Sequence, residues 1–105
     1  MDARQFVTCW KNEKDSYLSA IREGQSSAGQ QFKELGLSAE QSEKLWAALD
    51  TTLTDVFYTL LLGLDGSAQI GGVQETFQIH DEAGNLISKC GDLEVEAYVQ
   101  FQAGA

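Results

Sequence analysis

The sequence predicts an α+β fold in a single domain spanning residues 1–105, with N-terminal antiparallel helices packed on a small C-terminal antiparallel β-hairpin. Three observations predict it. Apolar residues recur at three- and four-residue spacing through the first part of the chain, which is typical of helices. A stretch with four glycines, residues 63–72, then interrupts the pattern. After it, two short β-type runs flank a turn-rich segment at residues 81–85.

An amphipathic helix is predicted over residues 3–22, with Asp2 as a suitable N-cap. Gly24 weakens helical structure by about 1 kcal/mol relative to alanine. The apolar spacing nevertheless continues over residues 26–35, so a second, short helical segment is expected there. Gly36 stands where a glycine commonly closes a helix.

The strongest helix signal begins at Ser38, which can form a capping box with Gln41. An unbroken apolar stripe follows as far as the glycine-rich loop that starts at Gly63. The last turns are apolar on more than one side, which predicts deep burial. If Leu53 and Leu60 are fully buried, truncation of either to alanine is expected to cost about 2–5 kcal/mol.

The segments 73–80 and 86–89 are typical of two strands that form a hairpin. A lone hairpin is marginally stable in water, so the side that carries Phe77, Ile79 and Ile87 is expected to pack on the helices.

The final stretch, residues 92–101, fits two structures. Its strict apolar–polar alternation favours a third strand. An N-cap at Asp92, acidic residues in the first turn and apolar residues four apart favour a short helix. We favour the helix because the cap and the helix-dipole signals agree.

The charge of the chain is strongly uneven. The net charge is −9 and the isoelectric point is near 4.3. Residues 1–49 carry seven acids against six bases, whereas residues 50–105 carry nine acids against Lys89 alone. An acidic surface of this kind repels phosphate backbones and anionic membranes and attracts cationic proteins. We therefore expect a basic protein partner, with no direct nucleic-acid binding and no membrane binding. The plainer alternative is that acidity only keeps a small protein soluble.

The cysteines and the N-terminal residues bear on the cellular compartment. Cys9 and Cys90 are far apart in the sequence and do not form a disulfide framework, so we expect two reduced, half-buried side chains. The N-terminal residues show no basic region followed by an apolar run, and no stretch approaches the roughly 20 apolar residues of a membrane span. These features predict a cytoplasmic protein.

No motif indicates catalysis, a metal or a cofactor. His80 lies beside Asp81 and Glu82, yet a hairpin corner is normally solvated, so we expect no catalytic role for it. The glycine-rich loop lacks the Lys-Ser/Thr ending of a phosphate-binding loop and follows a helix. Neither Asp-containing loop has the ligand spacing of a calcium site. The sequence thus predicts that the protein is not an enzyme and has no catalytic, cofactor-binding or metal-binding residues.

Candidate partner-binding residues come from three places: a polar strip on the long predicted helix, the hairpin turn, and the C-terminal stretch. Three- and four-residue spacing places the threonine, aspartate and tyrosine residues of the long helix on a common side. Such a strip can bind a basic protein, although a solvated helix face is the alternative. The predicted partner-binding residues are Asp50, Thr54, Asp55, Tyr58, Asp81, Glu82, Glu94 and Glu96.

The sequence is therefore interpreted as a small acidic binding module that docks a basic protein and neutralises or inhibits it, in the manner of immunity proteins and enzyme inhibitors. One alternative is a structural subunit or homodimer that uses apolar surface around Trp10, Tyr17 or Tyr98. Another is a nucleic-acid mimic, with carboxylates near residues 81–82 and 92–96 in the place of phosphates. The identity of the partner does not follow from the sequence.

Overall fold

The fold is known from a computed structural model, which describes residues 1–103. It is a mostly helical α+β structure with one two-stranded antiparallel sheet. In chain order the elements are α1 (Ala3–Arg22), α2 (Ser27–Glu34), α3 (Ala39–Asp65), β1 (Ile79–His80), β2 (Leu86–Ser88), α4 (Asp92–Ala97) and a π-helical turn (Tyr98–Gln102).

Helices α1 and α3 begin where the sequence predicts, because each start is fixed by residues within one turn. The Asp2 carboxylate accepts a hydrogen bond from the backbone N–H of Gln5 at 2.9 Å. The Ser38 hydroxyl accepts one from the backbone N–H of Gln41 at 3.1 Å. In both cases the glutamine side chain accepts a bond from the N-cap backbone, which completes a capping box.

The end of α3 differs from the prediction, since the helix continues through Gly63 to Asp65. Ile70 folds back over Gly63, where a Cβ atom would lie 2.8 Å from the Ile70 Cβ. The glycine is therefore needed for close approach rather than for a turn. The helix stops at Gly66, whose φ of 83° is left-handed and favours glycine.

Helices α1 and α3 pack side by side and run antiparallel. The ring centroids of Trp10 and Phe57 are 5.9 Å apart, and Lys14 pairs with Asp50 one turn further along. The contacting residues thus rise in number along α1 as they fall along α3, which makes the two helices antiparallel. Helix α2 extends this contact, because the Phe32 ring meets Trp46 edge to face at 5.8 Å.

One hydrophobic cluster joins α1, α3 and α4. Its buried members are Val7, Leu61, Leu93, Ala97 and Phe101. The prediction that the last turns of α3 are buried on more than one side is wrong for Leu60, which is 39% exposed. The apolar stripe reveals the helical period, but it does not reveal which side the neighbouring elements cover.

The β-hairpin is smaller than predicted. Strand β1 has two residues instead of the eight of segment 73–80, and Ile70 and Val73 form an isolated bridge around the Gly71–Gly72 turn. Ile79 packs against the core cluster, whereas Phe77 is 37% exposed. The hairpin side that was expected to pack on the helices therefore does so only in part.

The predicted C-terminal helix is present, but its cap differs from the expectation. Gly91 is the N-cap, and Asp92 is the first helical residue. The backbone N–H groups of Gly91 and Leu93 donate hydrogen bonds to the carboxylate of Asp65, at 2.9 and 3.0 Å. Asp65 is 1% exposed and also accepts a bond from the Ser67 hydroxyl. A buried carboxylate from the end of α3 thus fixes the start of α4.

The molecule is elongated, with principal extents of 48, 28 and 26 Å. By length and composition alone, helix α3 could cross a membrane. The core helices of water-soluble proteins meet the same test, so this is weak evidence.

Candidate protein-binding surface

The outward side of the C-terminal helical segment carries exposed apolar side chains. Leu93 and Ala97 are buried, so the opposite side of α4 faces water. On that side Val95 is 64% exposed, Tyr98 is 55% exposed and Val99 is 47% exposed. Spacings of three and four residues place these three side chains next to one another. Scattered apolar residues on a surface need no explanation, but a contiguous group is typical of a binding site.

Acidic residues flank these apolar side chains on both sides. With a rotation of about 100° per residue, Glu94 lies next to Tyr98, while Asp92 and Glu96 lie beyond Val99. Within residues 1–103, no Lys, Arg or His nitrogen approaches any of the three carboxylates to within 4.0 Å. We call this group of residues the α4 surface: Asp92, Glu94, Val95, Glu96, Tyr98 and Val99.

Shallow grooves separate the α4 surface from the start of α1. One, of about 440 Å³, is lined by Asp92, Val95 and Glu96 across from Arg4. The other, of about 470 Å³, lies between Val99 and the same arginine. Arg4 is the basic side chain nearest to the α4 surface in these grooves, and it forms no ion pair within 4.0 Å in residues 1–103.

Polar contacts hold the π-helical turn on α1. The Thr8 hydroxyl lies 3.1 Å from the Gln100 side-chain oxygen, and the Gln100 amide donates to the Arg4 carbonyl at 3.3 Å. Together with the cap that Asp65 provides, these contacts attach both ends of the C-terminal helical segment to the rest of the molecule. The residues of the α4 surface therefore lie on a segment that hydrogen bonds hold in place at both ends.

The four predicted residues of α3 have different surroundings. The Asp50 carboxylate pairs with Lys14, and the Thr54 hydroxyl lies 3.4 Å from the same carboxylate. Tyr58 is half-buried and packs against the core cluster. Asp55 is exposed on the far side of the helix. Asp50 and Thr54 thus contact each other, Asp50 pairs with α1 and Tyr58 packs on the core, while about half of the Asp50 side chain stays exposed.

The ion pair between Lys14 and Asp50 is the main electrostatic contact between α1 and α3. Lys14 is 4% exposed, and Asp15 is its second partner at 3.2 Å. Burial alone would lower the pKa of Lys14, but hydrogen bonds to Asp50 and Asp15 hold it above its usual 10.5. The hydrogen bond from Lys14 holds the pKa of Asp50 below its usual 3.8.

The two predicted residues of the hairpin also differ from each other. The Asp81 carboxylate accepts hydrogen bonds from the backbone N–H groups of Ala83 and Asn85 and from the Asn85 amide, at 3.0, 2.8 and 3.1 Å. The bonds from Asn85 hold the pKa of Asp81 below its usual range. The hydrogen bonds of Asp81 thus stabilise the hairpin turn. Glu82, at the tip of the turn, is exposed.

The side chains with reactive or metal-binding chemistry do not cluster. Cys9 and Cys90 are free, and both are exposed instead of half-buried as expected. Cys9 lines an open apolar groove of about 510 Å³ with Trp10, Glu13 and Phe57. No group of three His, Cys, Asp or Glu side chains within residues 1–103 could hold a metal ion.

No protein-family model, no curated protein and no solved structure matches the chain.

Among the predicted binding residues, Glu94 and Glu96 flank one exposed apolar group from opposite sides, and the structure adds Asp92, Val95 and Val99 to them. From the sequence, Tyr98 is expected only as apolar surface for a subunit or homodimer contact. The sequence does contain the information that identifies this group. If residues 92–101 are helical and Leu93 and Ala97 face the protein core, positions 95, 98 and 99 must face outward. In the alternative strand, Val95 and Val99 share a face with Leu93 and would be buried, so the alternation of apolar residues does not predict this exposed group.

Proposed function

We propose that this chain is a small acidic binding module that docks a basic protein through the α4 surface and thereby neutralises or inhibits it. One observation carries the proposal: Tyr98 and two exposed valines form an apolar centre, and the carboxylates on both sides of it form no ion pair within residues 1–103. We further propose that the protein acts in the cytoplasm, where its two free cysteines would stay reduced.

The proposed interface divides affinity and specificity between two kinds of contact. Specific protein interfaces have an apolar core with a polar rim, and tyrosine is enriched among the residues that dominate binding energy. Val95, Tyr98 and Val99 would supply that core. Carboxylates at the edge mainly accelerate association with a basic protein and disfavour acidic partners, an effect that salt weakens. The net charge of −9 acts in the same direction.

The support beneath the surface reduces the entropic cost of binding. The C-terminal helical segment is anchored to α3 through Asp65 and to α1 through Gln100. We propose that the antiparallel helices α1 and α3 pack on the small hairpin and form the support that holds the binding residues in place. A surface that is already ordered loses less conformational freedom when it binds.

A comparison of three matched proteins tests the proposal. The immobilised wild-type chain, the Glu94→Gln/Glu96→Gln/Tyr98→Ala variant and the Glu23→Gln/Glu43→Gln/Tyr17→Ala variant are each exposed to native lysate at low salt and then washed with high salt. The control removes the same number of charges and one tyrosine ring from exposed positions on α1 and α3 and at the C-cap of α1. Retained proteins are identified by mass spectrometry.

We expect a basic protein that the wild type and the control retain and the α4 variant loses. High salt should release it from the wild type. A basic protein retained equally by all three chains would contradict the assignment of the α4 surface. Failure to retain any basic protein at low salt would contradict the proposed function.

A further inference from the structure

A cleft of about 140 Å³ lies between the end of α1, helix α2 and the start of α3. Because α1 and α3 are antiparallel and α4 packs near Val7 and Leu61, this cleft is at the other end of the helix pair from the α4 surface. Gly29 lets α2 pack closely on α1, since a Cβ atom there would lie 2.6 Å from the Ile21 carbonyl oxygen. We call this feature the α2 cleft, and the residues of its wall that matter below are Arg22, Phe32, Lys33, Ser42 and Trp46.

Two aromatic rings form the apolar part of the wall. The centroids of Phe32 and Trp46 are 5.8 Å apart, and the ring planes are 81° apart, which is an edge-to-face arrangement. Aromatic rings add to such a pair in the same geometry. The volume of the cleft matches about one ring, because an engineered apolar cavity of roughly 150 Å³ binds benzene.

The charge of the wall is opposite to the charge of the protein. The chain has 16 acids against 7 bases, yet the wall contains two bases, Arg22 and Lys33, and no acid from the part of the chain that the structure describes. The glutamates next to them in sequence, Glu23 and Glu34, are exposed and do not line the cleft. Each groove beside the α4 surface, by contrast, combines Arg4 with at least one carboxylate. The α2 cleft is therefore a place where a small anion meets local attraction on an otherwise repulsive surface.

The two bases of the cleft keep their charges unpaired while neighbouring residues hold their side chains. Within residues 1–103, neither Arg22 nor Lys33 forms an ion pair within 4.0 Å, whereas three lysines of α1 and α3 pair with carboxylates. The Arg22 guanidinium lies over the Trp46 ring, 5.9 Å from its centroid. The Lys33 side chain lies against Gly24, where an added Cβ atom would collide with the lysine Nζ.

The position of these bases also has a structural effect. Arg22 is in the last turn of α1 and Lys33 is in the last turn of α2, where cations stabilise the partial negative charge of a helix end. This effect explains a base at each helix end. It does not require that the two bases share one cleft with a pair of aromatic rings.

We propose that the α2 cleft binds a small aromatic carboxylate, a function independent of the proposed docking of a basic protein at the α4 surface. The carboxylate is bound by Arg22 and Lys33, because a planar guanidinium donates two parallel hydrogen bonds to a carboxylate and an ammonium adds a third donor. The ring of the ligand packs against Phe32 and Trp46.

An NMR titration with three probes tests the proposal. The chain contains two tryptophans, so its spectrum has two indole N–H signals, which the Trp10→Phe variant assigns. The first probe, 4-fluorobenzoate, should shift the Trp46 signal with a dissociation constant of about 1 mM, as for a very small ligand. The Trp10 signal should not shift, because Trp10 packs on Phe57, roughly 16 Å further along α3 on the rise of a helix.

The other two probes separate the contribution of the charge from that of the ring. The second, 4-fluorobenzamide, has the ring without the charge, and the third, trifluoroacetate, has the charge without the ring. Each should bind about tenfold more weakly than 4-fluorobenzoate or worse, since each lacks one of the two kinds of contact.

Three variants place the site in the cleft. Arg22→Gln/Lys33→Gln should weaken binding of 4-fluorobenzoate by about tenfold or more, because charge-assisted hydrogen bonds are lost. The matched control, Arg4→Gln/Lys89→Gln, removes an exposed arginine and an exposed lysine outside the cleft and should bind like the wild type. Ser42→Leu keeps both bases but fills the cleft, so it should also lose binding.

The amide spectrum of each variant shows that it is folded, so a loss of binding is assigned to the cleft only in a folded chain. An unshifted Trp46 signal at about 20 mM 4-fluorobenzoate would overturn the proposal. Equal binding of either control probe would do the same. Unchanged binding by Arg22→Gln/Lys33→Gln would show that the two bases only stabilise the ends of α1 and α2. None of these results bears on the α4 surface, whose partner is tested separately.

Discussion

The carboxylate of Asp65, the last residue of α3, accepts a hydrogen bond at 3.0 Å from the backbone N–H of Leu93, in the first turn of α4. Both residues are almost completely buried. The free N–H groups at a helix start carry partial positive charge, so a carboxylate from elsewhere in the chain satisfies them well. The orientation of α4, and with it the α4 surface, therefore depends on a residue 28 positions earlier.

Replacement of Asp65 should be among the most destabilising polar substitutions in the chain. Asp65→Ala leaves the N–H groups of Gly91 and Leu93 without partners, and we expect the free energy of unfolding to fall by about 3 kcal/mol. Asp65→Asn keeps one acceptor and should cost less. Urea denaturation followed by circular dichroism measures both. Asp55→Asn, at an exposed position, is the control and should change stability by less than about 0.5 kcal/mol. An Asp65→Ala protein as stable as this control would refute the capping role.

The pair between Asp50 and Lys14 should make stability depend on pH in the acid range. The folded-state pKa of Asp50 lies below its usual 3.8, so the folded protein binds fewer protons there than the unfolded chain. This stabilisation is present above pH 3.8 and is lost as the pH falls through the lowered folded-state pKa. Lys14 has the corresponding effect in the alkaline range, because its folded-state pKa is raised above 10.5. The stabilisation that its ion pair provides is present below pH 10.5 and is lost as the pH rises through the raised pKa.

Asp50→Asn tests this dependence. About half of the Asp50 side chain is exposed, and Asp15 remains as a partner for Lys14, so solvent screening limits the loss at neutral pH to less than about 1 kcal/mol. The difference in unfolding free energy between wild type and variant should shrink as the pH is lowered below 3.8. Denaturation curves at pH 7 and pH 3 provide the comparison. A difference that stays constant with pH would show that Asp50 does not carry this linkage.

Two adjacent leucines of α3 should differ sharply in their effect on stability. Leu61 is fully buried, whereas Leu60 is 39% exposed. Leu61→Ala opens a cavity in the core and should cost about 2–5 kcal/mol. Leu60→Ala should cost less than about 1.5 kcal/mol in dilute solution, because water already contacts the side chain. Equal losses in thermal or urea unfolding would contradict the packing of α3 described above.

Gly66 and Gly84 have similar left-handed backbones but different surroundings. Alanine substitutions at the two positions can therefore distinguish the cost of backbone strain from the cost of steric contact. At Gly66, with φ of 83°, an added Cβ would lie 2.8 Å from the Thr76 Cα, whereas at Gly84, with φ of 86°, it would meet open space. Gly84→Ala should therefore cost only the backbone strain, about 1 kcal/mol. Gly66→Ala should cost at least twice as much, since backbone atoms must also move. Urea denaturation of the two variants measures the difference.

Local structure is predictable from this sequence where the determining residues are close together in the chain. The capping boxes at Asp2 and Ser38 each involve residues three positions apart, so the starts of α1 and α3 were predictable. The short C-terminal helix was predicted for a partly different reason. Acidic residues do occupy its first turn, but its N-cap is Gly91, and the carboxylate that accepts from its first N–H groups belongs to Asp65, which no local pattern could reveal.

Long-range packing explains the remaining differences. Asp50 is predicted to face a partner, yet its carboxylate pairs with Lys14 of α1, and about half of its side chain stays exposed. Leu60 belongs to the same stripe as Leu61, but α4 packs only on the side of Leu61. A hydrophobic stripe identifies a helix and its period, while the choice of covered side depends on elements far away in sequence.

The measurement that tests the central claim most directly is the salt dependence of affinity for the retained basic protein. Isothermal titration of the purified partner into wild-type protein and into Glu94→Gln/Glu96→Gln, each at low and high salt, gives four dissociation constants. We expect the wild type to bind more tightly at low salt, and the variant to bind more weakly there and to respond less to salt. Identical affinities and identical salt responses for the two proteins would contradict docking through the acidic α4 surface.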